Sequence, residues 1–243
     1  MKIKYAIVSS NDNPTYLDFW PIVKELWVNL INIKPILVLI SDKDIVTDFG
    51  DYIIHEFKAL DGINTGLQAQ IARMYVTKYY ADDVCLTSDI DMLPLSIEYF
   101  NNYCNSESDN SLVILSSDAY KTLRYPICYN VAKGSTFNEI LGLDVSFKDY
   151  SDRLLAYGWG WDTDELYFGL KVNEFKDKTR IHLRKRGWVN GIANCRIDRI
   201  SYTAWDYDIQ SLKKDMYLDC HSLRPYSIKK DLIDKLIKDR TCQ

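Results

Sequence analysis

The sequence predicts an α/β fold, a Rossmann-like sheet flanked by helices, in a single domain spanning residues 1–243. Three observations predict it. Lys2–Ser10 (KIKYAIVSS), Pro35–Ser41 (PILVLIS) and Tyr52–Phe57 (YIIHEF) are short, largely apolar runs of the kind that strands buried on both faces produce. Between the first two, Pro21 suits the opening position of a helix through Leu30, with Ile22, Leu26 and Leu30 on one stripe. The chain of 243 residues is long enough to bury one substantial core of this kind.

The elements follow in order. Asn11-Asp12-Asn13-Pro14 is a turn rich in backbone-bonding side chains, and it leaves the carboxyl edge of the first strand. His55 lies within the third strand and reads as structural. Gly62–Gln68 leads into a helix through Tyr80, with Thr65 and Gln68 at capping-box spacing. Leu67, Ile71, Met74 and Tyr75 form its apolar stripe, which leaves Gln70, Arg73 and Thr77 on another face. Val84–Leu95 is the central stretch: an apolar strand that ends in Asp89 and Asp91, with Pro94 barring simple continuation. Open α/β sheets bind ligands at this edge. Two carboxylates one residue apart repel, which favours a divalent cation between them and a phosphate beyond it. Oxygen ligands of this kind select Mg2+ or Mn2+ over zinc. Arg73, on the helix feeding this strand, is placed to reach a diphosphate, to pair with Asp89, or to stay solvated.

Ile97–Tyr103 reads as a short helix and Leu112–Ser117 as a strand. Tyr125–Phe137 reads as an extended segment and a Lys133-Gly134-Ser135 turn. Backbone N–H groups at such a turn can hold an anion, although an ordinary strand-to-helix connection has the same pattern.

Tyr157–Phe168 (YGWGWDTDELYF) is the second informative stretch. Trp159 and Trp161 offer faces on which sugar rings pack, and Asp162, Asp164 and Glu165 offer acceptors for sugar hydroxyls. Asp162 and Glu165 also match the spacing of a helix start; Asp164 falls outside that pattern and is the first choice for a base or a sugar contact. Further on, Lys178–Gly187 carries Arg180, Arg184, Lys185 and Arg186, a basic run that suits a diphosphate, an anionic acceptor or solvent. Leu218–Pro225 holds His221 and Arg224, and Ser227 can cap a final surface helix.

A net charge of -4 argues against general nucleic-acid binding. Six cysteines without a C-x-x-C pair fit reduced thiols and a cytoplasmic protein. No run approaches the roughly 20 apolar residues of a membrane span, and no signal-peptide core is present.

Thr87-Ser88-Asp89-Ile90-Asp91 resembles the DxD motif of GT-A glycosyltransferases. Gly158-Trp159-Gly160 with the acids after it resembles the acceptor motif of β-1,4-galactosyltransferases, with Trp161 where that family has glycine and Thr163 interrupting its acidic run. The order of DxD, Gly-Trp-Gly and late histidine spans most of the chain. The resemblance implies a mixed GT-A sheet and a metal, Mn2+ or Mg2+, on Asp89, Asp91 and His221, with His182 as substitute for the histidine. It implies a UDP-sugar held by Ser9, Asn11, Gln70, Arg73, Asp89, Lys133 and Arg224. It further implies an oligosaccharide or glycoprotein acceptor on Trp159 and Trp161, and catalytic roles for Asp164, Asp162 and Glu165. Residues 1–117 would form the nucleotide-sugar half and 118–243 the acceptor half. CYNVAKGSTF (128–137) and HSLRPY (221–226) are most similar to single-domain glycosyltransferases of large algal DNA viruses, which implies UDP-glucose or UDP-rhamnose as donor, a growing capsid glycan as acceptor and the host cytoplasm as location.

Two other classes compete. A haloacid-dehalogenase-like phosphatase also places D-x-D at a strand end, but normally after its first strand and before a small pair, where this chain has Met92-Leu93 in mid-chain. A non-catalytic carbohydrate-binding module would use the aromatics for stacking and the acids for calcium.

Overall fold

The computed structural model describes residues 1–43, 52–186, 188–189, 192–193, 195–200 and 204–241, the side chains of 188–189 and 192–193 excepted. Trp188 as an aromatic and Cys242 as a thiol therefore lie outside the described residues. In chain order the elements are β1 (Tyr5–Asn11), α1 (Pro14–Leu17), α2 (Trp20–Glu25, widening into a π turn over Leu26–Ile31), β2 (Lys34–Ser41) and β3 (Ile53–Lys58). Next come α3 (Thr65–Tyr75, tightening to a 3-10 turn through Tyr80), β4 (Val84–Asp89), β5 (Met92–Pro94), α4 (Ile97–Asn102), β6 (Leu112–Ile114) and β7 (Asn130–Lys133). The chain ends with α5 (Gly134–Leu141), α6 (Phe147–Leu155), α7 (Thr163–Glu174), β8 (Ile181–Leu183), β9 (Trp188–Val189), β10 (Ile192–Ala193), β11 (Arg196–Ile197), α8 (Ile209–Lys213), β12 (Asp219–His221) and α9 (Tyr226–Thr241).

The main sheet has seven strands in the order β3-β2-β1-β4-β7-β6-β8. β3, β2, β1 and β4 run parallel, β7 is antiparallel to both β4 and β6, and β8 is parallel to β6. This is the expected mixed α/β sheet in one domain. Strands on either side of residue 117 alternate within it, so the two halves of the chain share one sheet. Ile7, Ile36, Val38 and Cys85 face α3, α5, α6 and α7 through Ile71, Met74, Phe137, Tyr150, Tyr167 and Phe168. Val8, Leu37, Leu39 and Leu86 face the other way, toward Trp20, Trp27, Phe100 and Tyr129. Each such buried aromatic or aliphatic side chain contributes about 1.5–3 kcal/mol.

As expected, β4 does not simply continue: it ends at Asp89, and past Asp91 the chain enters a second sheet, β11-β12-β5, with Pro94 as the last residue of β5 opposite Asp219. Other local expectations are corrected. α3 is capped by Asn64, whose side-chain oxygen accepts from the N–H groups of Gly66 and Leu67, rather than by a Thr65–Gln68 box. Gln68 is buried and instead bonds the backbone of Leu60 and Ile63. Between β9 and α8 the described residues include the short strands β10 and β11. β11 is held to β12 by a bidentate pair, Arg196 Nε to Asp219 Oδ1 at 2.8 Å and Nη2 to Oδ2 at 2.6 Å. The five described cysteines, Cys85, Cys104, Cys128, Cys195 and Cys220, are buried free thiols. No helix among the described residues is long and apolar enough to cross a membrane.

Gly169 fixes α7 against the segment that precedes β7. A Cβ there would collide with the carbonyl oxygen of Leu123. Gly169→Ala is therefore expected to cost about 1–3 kcal/mol or more by overpacking, measured by urea unfolding. Because Arg124 is the next residue, the same change is expected to lower activity.

Candidate active site

Parallel pairing aligns Ser9 with Asp89 at the carboxyl edge of β1 and β4. Around that edge lies a cavity of about 270 Å³. Of the residues singled out in the sequence, Ser9, Asn11, Gln70, Arg73, Asp89, Asp91, Trp161, Asp162, Asp164, Glu165, His221 and Arg224 all line it. The DxD region, the acidic stretch and the late histidine, distant in sequence, thus share one cleft.

The second sheet builds its first wall. β12 is antiparallel to β5 with His221 opposite Met92, and the N–H of Ser222 donates to the Asp91 carbonyl at 2.8 Å. Asp91, only 7% exposed, has Oδ2 3.3 Å from Arg199 Nη1 and 3.5 Å from both His221 Nε2 and Arg224 Nε. Burial disfavours its charge, but His221, Arg224 and Arg199 outweigh it and hold the carboxyl down at about 2. Burial likewise disfavours the His221 imidazolium, yet Asp198, 3.0 Å from Nδ1, and Asp91 raise its proton affinity above the ordinary value. Arg224 also donates to the Tyr16 hydroxyl at 2.7 Å.

The second group centres on Arg73, 5% exposed. Its guanidinium pairs with Asp89 and, through Nη2, with Asp164 Oδ2 at 2.9 Å. Asp164, 1% exposed, takes the N–H of Glu165 on its other oxygen at 2.8 Å. The pairing of Arg73 with Asp89, one of the readings the sequence left open, is thus the observed one, and a single buried cation ties the DxD to the acidic cluster.

Arg124 organises the third group. Its guanidinium lies 4.2 Å from the centre of the Tyr120 ring, and it holds Asp162 at 2.8 Å and Glu165 Oε2 at 2.5 Å from Nε. Tyr120 donates to Glu165 Oε1 at 3.2 Å. Burial and the neighbouring Asp164 raise the proton affinity of Glu165 above that of an ordinary glutamate, and Arg124 and Tyr120 offset this only in part. Asp162 stands at the N-cap position of α7, but its side chain makes no capping bond. Trp161, 56% exposed, closes one end of the cleft by resting its indole over Gly66. The Gln70 amide, oriented to satisfy both groups, donates to the Trp161 carbonyl at 3.2 Å and accepts from its indole N–H at 3.3 Å.

Other candidates lie elsewhere. Lys133 pairs with Val84 at the start of β4, on the opposite sheet edge, and its ammonium is 3.5 Å from Asp109. The turn there offers no anion nest, because Gly134 and Ser135 N–H groups donate to the carbonyls of Asp83 and Ala81. Trp159 stacks on Tyr157 at 4.2 Å outside the cavity lining. His182 sits in β8 between Glu107 and Ser111. In the basic run, Arg180 pairs with Glu139 and Arg184 with Glu107, and neither arginine lines the cavity. Conversely, Ser10, Tyr16, Tyr120, Arg124 and Arg199 line the cavity without having been anticipated.

Among the described residues no three His, Cys, Asp or Glu side chains converge as a ready cation cage. Asp91 and His221 nevertheless fit a divalent ion: a carboxylate oxygen and a ring nitrogen 3.5 Å apart on the cavity wall, with the Arg199 guanidinium already in contact with both. Asp89 lies alongside, with its carboxylate on Arg73.

No protein-family model and no curated protein matches this sequence. Among solved structures, the chain is similar to the galactosyltransferase LgtC, crystallised with donor and acceptor sugar analogues. The TM-score is 0.53 at 13% identity, over 98% of this chain and 96% of LgtC. The apo bifunctional glycosyltransferase WbbM aligns at a TM-score of 0.49 and 9% identity, over 99% of this chain and 50% of WbbM. The LgtC likeness establishes the fold: a mixed α/β GT-A sheet in a single domain.

Proposed function

We propose that the chain is a metal-dependent glycosyltransferase, of the hexosyltransferase type, that moves a sugar from a nucleoside-diphosphate donor, a UDP-sugar, to a glycan acceptor. The observation that carries this reading is the convergence of Asp89 and Asp91, His221 and Arg224, and Asp162, Asp164 and Glu165 on one cleft at the carboxyl edge of the sheet. The fold shared with LgtC supports it. So does the HSLRPY segment, similar to the algal-virus enzymes, which delivers both His221 and Arg224 to the cleft. On that likeness we extend the proposal to glucose or rhamnose as the sugar, a capsid glycan as acceptor and the host cytoplasm as location.

Each wall has a task. Ser9, Asn11 and Tyr16 line the β1 side, where base and ribose rest. Asp91 and His221, with Asp89 beside them, would hold Mn2+ or Mg2+. When bound there, the metal supplies the charge neutralisation that lets a nucleoside diphosphate leave. Arg224 adds positive charge where the leaving group gains negative charge. Arg73 and Asp164 fix the polar floor on which the donor sugar is oriented. Trp161 gives the acceptor a stacking face, and Glu165 is the group best tuned to take a proton from an acceptor hydroxyl.

That assignment has a pH consequence. A general base acts deprotonated, so the rate rises with pH through its pKa, which burial and Asp164 raise here. The acid limb of kcat/KM is expected above the ordinary glutamate range near 4.5, and Glu165→Gln is expected to abolish that limb.

The function is tested by incubating the protein with a panel of UDP-sugars and Mn2+ and following UDP release. Release from one or two sugars, stimulated by a glycan acceptor, is the expected result. Release of inorganic phosphate from sugar phosphates with none of UDP would favour the phosphatase class. Glycan binding without turnover of any nucleotide would favour the non-catalytic module.

A further inference from the structure

Arg199 reaches the cleft through strand register rather than through any motif. β11 runs parallel to β12 with Ile197 opposite Cys220, so the chain leaving β11 carries Asp198 and Arg199 alongside His221. β12 pairs in turn with β5, which sets Asp91 across from both. The Arg199 guanidinium then spans the two groups: Nη1 is 3.3 Å from Asp91 Oδ2, Nη2 contacts His221 Nε2, and the Ser222 carbonyl lies 3.5 Å from Nη1. Asp198 faces the other ring nitrogen of His221, which directs Nε2 toward Asp91 and Arg199. A divalent ion bound to the same carboxylate oxygen and ring nitrogen would sit within a few ångströms of this guanidinium, where two cations repel strongly.

We propose that Arg199 is the resident cation of this site: it neutralises Asp91 beside His221 in the nucleotide-free protein and yields its place to the divalent metal when the donor binds. The proposal rests on the metal-dependent transferase reading above. Arg199 is in this sense a positioning residue. Its displacement weakens binding of the metal alone and makes metal and nucleotide bind cooperatively, because the diphosphate offers the released guanidinium an anionic partner.

The test measures Mn2+ binding directly, from loss of the free-ion electron paramagnetic resonance signal. Wild type, Arg199→Gln and Arg199→Lys are compared with and without UDP. Arg199→Gln is expected to bind Mn2+ about tenfold more tightly than wild type without UDP, because a like charge beside the site is gone, and the gap is expected to narrow with UDP. Arg199→Lys keeps the charge and is expected to stay near wild type. Binding by wild type with no gain in Arg199→Gln would leave the metal reading intact and overturn this proposal. No binding by any variant, even with UDP, would overturn both. A second measurement needs only folded wild type and Arg199→Lys: the arginine Nε–H resonance that Arg199→Lys lacks is expected to shift when Mg2+ and UDP are added. A resonance that stays in place under saturating ligand would also overturn the proposal.

Discussion

Arg73→Met is expected to damage the protein twice. It leaves Asp89 and the buried Asp164 facing each other without the cation that joins them. Removing one partner of a buried pair costs about 3–5 kcal/mol, because the remaining charge stays desolvated. Urea unfolding is expected to show a loss of that size, and UDP release is expected to fall by about 10²- to 10³-fold as the polar floor loses its geometry. The double change Arg73→Met with Asp164→Leu separates the two effects. Replacing both charges with apolar groups is expected to recover most of the stability and none of the activity. Unchanged stability in Arg73→Met would contradict the buried network itself.

Asp91→Asn carries the second large effect. It removes the charge of a carboxylate that meets Arg199, Arg224 and His221 together. Donor turnover is expected to fall by about 10³-fold or more, with UDP binding no longer responsive to Mn2+. Stability should respond too. The carboxyl is held at about 2, below its usual 3.8, so its contribution is fully present above pH 3.8 and is lost as pH falls toward 2. That contribution is about 2–3 kcal/mol. The mutant is expected to be less stable at neutral pH and to lack this part of the acid-induced loss, as unfolding titrations between pH 2 and 7 would record.

The course of the fold was legible because its evidence is local. The apolar runs of β1, β2, β3 and β4 each announce a strand buried on both faces, and the α3 stripe announces the helix between β3 and β4. The position of Asp89 and Asp91 at the carboxyl edge was legible for the same reason, since the apolar run before them marks where the strand ends. Three kinds of feature were not. Lys133 looked like an anion site, but β7 runs antiparallel to β4, which sends it to the far edge; strand direction is a tertiary property that Asn130–Lys133 does not encode alone. Arg124 and Arg199 are single arginines in irregular sequence, placed by the packing of α7 and by the β11–β12–β5 register. The partners of Arg180 and Arg184 in the basic run were hidden because composition shows charge and not partners, and Glu139 and Glu107 are distant in the chain.

Calorimetric titration of UDP into the wild-type protein, with and without Mn2+, asks whether the cleft is a nucleotide site. The account predicts binding that requires Mn2+ and places one nucleotide in each chain. No UDP binding under either condition, with the protein folded, would contradict a nucleotide-sugar site at the carboxyl edge of β1 and β4.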